Sequence, residues 1–152
     1  MKVSLKWLRK FAKIDVKDDE LFVKIGARLV EIEDVEDLDE KYKDVVVARV
    51  VSSVPHPDSD HMHVLKLDDN GVADTIVSRN IADGLAKEKA RIPRDENGFV
   101  QVVCGAPNVR EGLLVAWLPP TTTVPSESNF RLDARKLRGV LSYGMCASPK
   151  ES

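Results

Sequence analysis

Three clusters of side chains in this sequence have the types and spacing to do chemistry. The first is HPDSDHMHV, His56 to Val64, which holds all three histidines of the chain. His61 and His63 are two apart, so on a strand both imidazoles project from one face, as a zinc site would need. A histidine there could also serve as an acid or base near neutral pH. Against both stands the Pro-Asp-Ser-Asp run, a turn formula in which Asp side chains bond nearby backbone N–H groups. A polar strand-to-strand turn with exposed histidines accounts for most of these residues. An EF-hand is excluded, because the sixth loop position is not Gly and the twelfth is not Glu.

The second candidate is Cys104, in VVCGAPNV. A nucleophilic cysteine needs a neighbouring base and oxyanion donors, and a cysteine that ends an apolar run is more often a packing residue. Gly105-Ala-Pro-Asn108 after it reads as a tight bend. Cys104 and Cys146 are each single, so neither supplies the paired half of a zinc or redox motif. The third candidate is RLDARKLRGV, Arg131 to Val140, in which Arg135, Lys136 and Arg138 concentrate positive charge. On a strand Lys136 and Arg138 share one face, and a basic face suits phosphate contacts. A solvated polar strand is the competing reading.

Those residues must be positioned by a small scaffold. The 152 residues suffice for one ordinary domain or one domain with an appendage. Lys and Arg number 23 against 25 Asp and Glu, so only a local patch could attract nucleic acid. No apolar run reaches the roughly 18 residues of a membrane span, and MKVSLKWLRKF lacks the unbroken apolar core of a secretion signal. A cytoplasmic protein without a membrane partner is expected. Ser4 is placed to cap a helix carrying Leu5, Leu8, Phe11 and Ala12. Asp18 or Asp19 is placed to cap a second, with Gly26 as its stop. Leu29 to Val35 has a β-like composition, and a charged connector follows to a boundary near residue 40.

From Val45 the chain turns to short β-branched runs: VVVARVVSSV, HVLKLD, FVQVVCG, LLVAWLP and RLDARKLRGV. Five such runs with turn residues between them predict a small β-barrel or sandwich. The polar stretch from about 72 to 97 is expected to be a long loop or extra hairpin, with a short helix over Ile81 to Lys89. It carries Arg79, Lys87, Lys89, Arg91 and Arg94 as further cations.

KLRGVLSYGMCAS, Lys136 to Ser148, closely resembles the K-[LM]-R-G-V-x-S-x-G-M signature of the tRNA-binding OB-fold domain of several aminoacyl-tRNA synthetases and free-standing tRNA-binding proteins. HPDSDHMHV resembles the same domain's H-P-[ND]-A-D-[KR]-L motif. VCGAPNVREG, Val103 to Gly112, and the N-terminal MKVSLKWLRKF are similar to the bacterial phenylalanyl-tRNA synthetase beta subunit family.

The resemblance implies a mainly β chain: a five-stranded Greek-key OB-fold barrel over 41–152, with an insertion at about 72–97, after a small α+β segment over 1–40. That segment would be part of a discontinuous domain, and the chain a piece of a longer protein. The implied function is non-catalytic binding of tRNA in support of charging tRNA with phenylalanine, alongside an alpha subunit in a heterotetramer. Aminoacylation, with its ATP and magnesium, is implied to lie elsewhere in the enzyme. The other reading of the same family is an OB barrel that serves subunit assembly without touching tRNA.

Transferred onto matching positions, the signature implies Lys136, Arg138 and the adjacent Arg135 for phosphates, Ser142 for phosphate or ribose, and Met145 as an apolar contact or core plug. Gly139 and Gly144 are implied as backbone bends. Asn108 offers an amide and Arg110 a charge. The chain departs from the family pattern at His61, where Lys or Arg is usual, at Leu141, where Glu is common, and in LPPTTTVPSESNF, which replaces a small Gly-Ala turn. A mostly neutral His61 weakens electrostatic capture there.

Overall fold

The computed structural model describes residues 1–82, 92–125 and 130–147. The chain forms two compact units, Met1–Asp37 and Leu38–Ser152.

In the first unit, Ser4 opens α1 (Leu5–Leu8) by accepting the Trp7 amide on its hydroxyl at 3.3 Å. Helix α2 (Asp18–Arg28) places Asp18, Asp19 and Glu20 in its first turn, where carboxylates offset the positive end of the helix dipole. The capping position itself is Lys17, which makes no side-chain bond. Arg9 donates to Asp18 Oδ1 at 2.6 Å and joins the two helices. Gly26 does not stop α2, which runs on to Arg28, since a glycine inside a helix costs only about 1 kcal/mol relative to alanine. Leu29 to Val35 forms no strand, because β structure needs a partner for its backbone groups and this unit pairs none with it. The segment is therefore helical, not α+β. None of its residues is buried.

The second unit begins with α3 (Leu38–Tyr42), inside the charged connector. Its main element is β1 (Val46–Pro55), where Val46, Ala48 and Val50 turn inward and Val47 and Arg49 outward, the alternation of a half-buried strand. β1 is shared. Its first half pairs antiparallel with β4 (Leu114–Leu118), and from Arg49 onward it pairs antiparallel with β2 (His63–Asp68). A bulge between Val50 and Ser52 lets the long strand bend from one partner to the other. β2 pairs in turn with β3 (Val100–Cys104), which gives the sheet order β3-β2-β1-β4-β7. Three consecutive antiparallel strands with a fourth returning beside the first make the Greek key.

Closure depends on a kinked strand. β5 (Ala134–Leu137) and β6 (Val140–Tyr143) form a hairpin. After Gly144 the chain continues as β7 (Met145–Cys146) and pairs with Leu118 and Trp117 of β4. β6 meets β3 through side chains: Val103 N–H donates to Ser142 Oγ at 2.9 Å and Gln101 Nε2 donates to the Leu141 carbonyl at 2.8 Å. Gly144 has φ +80°, and a Cβ there would overlap the Leu118 carbonyl oxygen, so only glycine permits this approach. The five-stranded Greek-key OB-type barrel that the resemblance implies is the architecture observed.

The core holds Val46, Val50, Leu65, Leu67, Val100, Val102 and Trp117, each at most 3% exposed. Helix α4 (Val72–Ala82) adds Ala73 and Ile76 to it. The expected loop or hairpin after residue 72 is therefore a helix, and it begins well before Ile81. Most of the helix expected over Ile81 to Lys89 lies outside the described residues, as do Lys87, Lys89 and Arg91. Asp69 opens α4 by accepting the amides of Gly71 and Ala73 at 3.2 and 2.9 Å. Arg94 closes on Asp69 from the far end of the insertion at 2.7 and 3.1 Å, and also reaches Asp74 and the Gly98 carbonyl. Burial pushes the Asp69 carboxyl up, but the Arg94 guanidinium and the two amides outweigh it and hold the group below its ordinary value. Arg79 is likewise paired, with Asp44.

A second cluster, Leu118, Val124 and Leu132 with Val45, Met145 and Ala147, fills the space under the proline-rich connection. Pro119, Pro120 and Thr122 there are fully buried, and Thr121 N–H donates to the Leu132 carbonyl at 2.7 Å.

Candidate nucleic-acid interface

The two motifs singled out in the sequence meet in the fold. In the β5–β6 hairpin Leu137 and Val140 are register partners, so Arg138 and Gly139 form a two-residue turn, with φ +47° and +85°. Two positive φ values define the type I′ turn that matches the twist of a hairpin. Arg138 is therefore at the tip, not on the strand beside Lys136 as alternation predicts. Its guanidinium donates to the Asp58 carbonyl at 3.0 Å. Lys136 shares its face of the ribbon with Leu141, and Arg135 is paired with Ser142 on the other. Arg135, Lys136 and Arg138 are all exposed.

HPDSD is a closed turn. His56 N–H donates to the Met62 carbonyl at 2.9 Å, Asp58 N–H donates to His56 Nδ1 at 3.0 Å, and Ser59 Oγ accepts the His61 amide at 3.5 Å. His56 is 4% exposed, and its Nε2 lies 2.9 Å from the Leu137 carbonyl of the hairpin. Both nitrogens are thus engaged with protein, and His61 is exposed on the turn. His63 begins β2 as the register partner of Cys104, and its Nδ1 is buried without a hydrogen-bond partner. Among the described residues no three His, Cys, Asp or Glu side chains converge as metal ligands.

Cys104 is buried in the core, where its Sγ accepts the Ala106 amide at 3.5 Å. The Cys104 thiol, with burial, pushes the Cys146 thiol well above its ordinary value. Cys146 is thereby disfavoured as a thiolate, and Cys104 is shielded by burial, which disfavours nucleophilic use of either.

Strand register gathers several connections at one end of the barrel. β1 leaves its sheet at Pro55, β2 enters at His63, and β3 leaves opposite it at Cys104. The 56–62 turn, the start of the 105–113 connection and the hairpin tip therefore share that end. Asn108 and Arg110 are exposed on the connection. The exposed carboxylates of Asp58 and Asp60 lie on the 56–62 turn, so the charge there is mixed.

Two signature residues face inward instead. Ser142 is 2% exposed. Its hydroxyl accepts the Val103 amide and donates to the Gly144 carbonyl at 2.9 Å, so both its hydrogen-bonding roles expected toward RNA are used within the barrel. Met145 packs into the second cluster, the core-plug alternative of its two implied roles. Sequence reasoning missed His56 as a link between motifs. The available signal was its place two residues before the Asp58 amide, where a side-chain acceptor stands as it does in an Asx turn.

The chain is similar along nearly its whole length to proteins named phenylalanine–tRNA ligase beta subunit. That of Nitrobacter winogradskyi is 32% identical over 151 residues, 99% of this chain. Those of Mesorhizobium japonicum and Lactiplantibacillus plantarum are 34% and 35% identical over 99% and 97% of it. The chain spans only about 16% of the length of the first two and 15% of the third. No family model matches it.

Proposed function

For a chain related in sequence to a segment of phenylalanine–tRNA ligase beta subunits, we propose a non-catalytic tRNA-binding role within such a ligase. The observation that carries it is the exposed basic hairpin, Arg135, Lys136 and Arg138, held against the first connection of an OB-type barrel. Lysine and arginine on a rigid ribbon contact phosphates without reading sequence, and small OB barrels bind nucleic acid with such surfaces. Arg110 and Asn108, exposed on the connection that follows β3, extend the surface, and His61 adds a polar contact. The barrel works beside an alpha subunit, in the cytoplasm, and the ATP and magnesium chemistry of charging belongs to other parts of the enzyme. No helix among the described residues is long and apolar enough to cross a membrane.

The test is tRNA binding at two salt concentrations. Lys136→Ala with Arg135→Ala is expected to weaken binding about tenfold and to flatten the salt dependence by about one unit of log–log slope for each phosphate no longer neutralised. Arg138→Asn suits the third position, because asparagine accepts the positive φ that alanine resists. No binding by the parent chain at low salt, or unchanged binding by these variants, refutes the reading.

A second reading, assembly without RNA contact, is favoured by one observation: carboxylates of Asp58 and Asp60 are exposed on the turn that the Arg138 guanidinium reaches. It predicts binding to the alpha subunit that is insensitive to the same substitutions and to added tRNA.

A further inference from the structure

We infer that His56 is a positioning residue, a single-tautomer latch that fixes the basic hairpin tip to the first barrel connection. The inference rests on the tRNA-binding reading for its consequence, but not for its geometry.

A carbonyl oxygen only accepts and a backbone amide only donates. The contact of 2.9 Å between His56 Nε2 and the Leu137 carbonyl therefore requires a proton on Nε2. The contact of 3.0 Å from Asp58 N–H requires a lone pair on Nδ1. Only the neutral ring with its proton on Nε2 satisfies both partners. The ring is 4% exposed, so water does not readily replace either one. Leu137 is the last strand residue before the Arg138–Gly139 turn, and Asp58 supplies the carbonyl that the Arg138 guanidinium reaches at 3.0 Å. His56 thus holds one side of the tip directly and anchors the backbone nitrogen of Asp58, the residue whose carbonyl receives the other side. The tip is presented preformed, which lowers the ordering cost of any phosphate contact it makes.

Two substitutions divide the role. His56→Asn keeps an acceptor at the position of Nδ1, where asparagine closes an Asx turn on the Asp58 amide, but removes the reach to Leu137. His56→Gln keeps a donor at the position of Nε2 and removes the Asp58 acceptor. In the 152-residue chain, His56→Asn is expected to speed exchange of the Leu137 and Val140 amides about fivefold, the equivalent of one net hydrogen bond. It is expected to weaken tRNA binding about threefold to fivefold, and His56→Gln to restore the hairpin exchange fully and the binding only in part, because the Asp58 amide loses its acceptor. In the unsubstituted chain, ¹⁵N shifts should show Nε2 protonated and Nδ1 as the bare acceptor. A proton on Nδ1, or wild-type hairpin exchange in His56→Asn, overturns the latch. If His56→Asn fails to fold, the ¹⁵N shifts and His56→Gln decide the matter alone. If the parent chain binds no tRNA, the functional reading fails while exchange and ¹⁵N shifts still test the latch.

Discussion

Replacing Gly144 with alanine tests the closure of the barrel directly. The new methyl would overlap the Leu118 carbonyl oxygen and stand 3.0 Å from the Leu118 carbonyl carbon and from Trp117 Nε1. Two of those atoms are backbone in β4, so no rotamer change relieves the overlap, and β7 must retreat from its partner. Three contributions add. The left-handed backbone at φ +80° costs an alanine about 1 kcal/mol. Overpacking costs about 1–3 kcal/mol. The retreat strains two nearby bonds, Trp117 Nε1 to the Tyr143 carbonyl and Ala147 N–H to the Ala116 carbonyl, at about 1 kcal/mol each. The sum, about 4–6 kcal/mol, approaches the whole stability of a small domain. Gly139→Ala is the internal control, because φ is +85° there too but nothing lies within 4 Å of the added methyl. It should cost only about 1 kcal/mol. Thermal melts should place Gly139→Ala about 4 °C below the parent and Gly144→Ala at least about 12 °C below it. Equal losses in the two variants would show that backbone conformation, not the approach of β7 to β4, makes glycine necessary.

Asp69→Asn should cost about 2–4 kcal/mol, because it leaves the Arg94 guanidinium with a weakened partner. Its pH dependence has a definite sign: the folded carboxyl titrates below its ordinary 3.8, so its contribution is complete above that value and is lost as pH falls through the folded one. Chemical denaturation between pH 2.5 and 6 should therefore show a flatter acid limb in Asp69→Asn than in the parent. Trp117→Phe leaves the Tyr143 carbonyl without its indole donor and should lower denaturant stability by about 1–3 kcal/mol at unchanged m-value. Cys104 and Cys146 should react with a neutral-pH thiol reagent at least about a hundredfold faster in denaturant than in the folded chain; fast reaction of the native protein would revive a nucleophilic role.

The β-runs are legible in the sequence because alternation reports burial directly: Val46, Ala48 and Val50 point in, and Leu65 and Leu67 do the same on β2. α4 is hidden for a physical reason. Val72, Thr75, Ile76 and Val77 are β-branched residues with low helix propensity, but Ala73, Ile76, Val77 and Asn80 have the spacing of one buried helical face, and packing overrides propensity. Alternation puts Arg138 on a strand because Arg-Gly lacks the Asn-Gly signal of a two-residue hairpin. The His56 link is invisible to local patterns, since its partner lies 81 positions away. Ser142 looks like a surface hydroxyl because alternation along β6 does not reveal that β3 covers it.

The junction of β3 with β6 has a kinetic consequence. Elsewhere along the sheet neighbouring strands are joined by backbone ladders, whereas here the bonds that cross involve the Ser142 hydroxyl and the Gln101 amide. Bonds through rotatable side chains between residues 39 and 40 positions apart form only after the strands have been brought together, against a loop-closure cost. This is the line along which the barrel should part first on unfolding and join last on folding. Changes at Ser142 or Gln101 should then mainly accelerate unfolding and leave the folding rate nearly untouched.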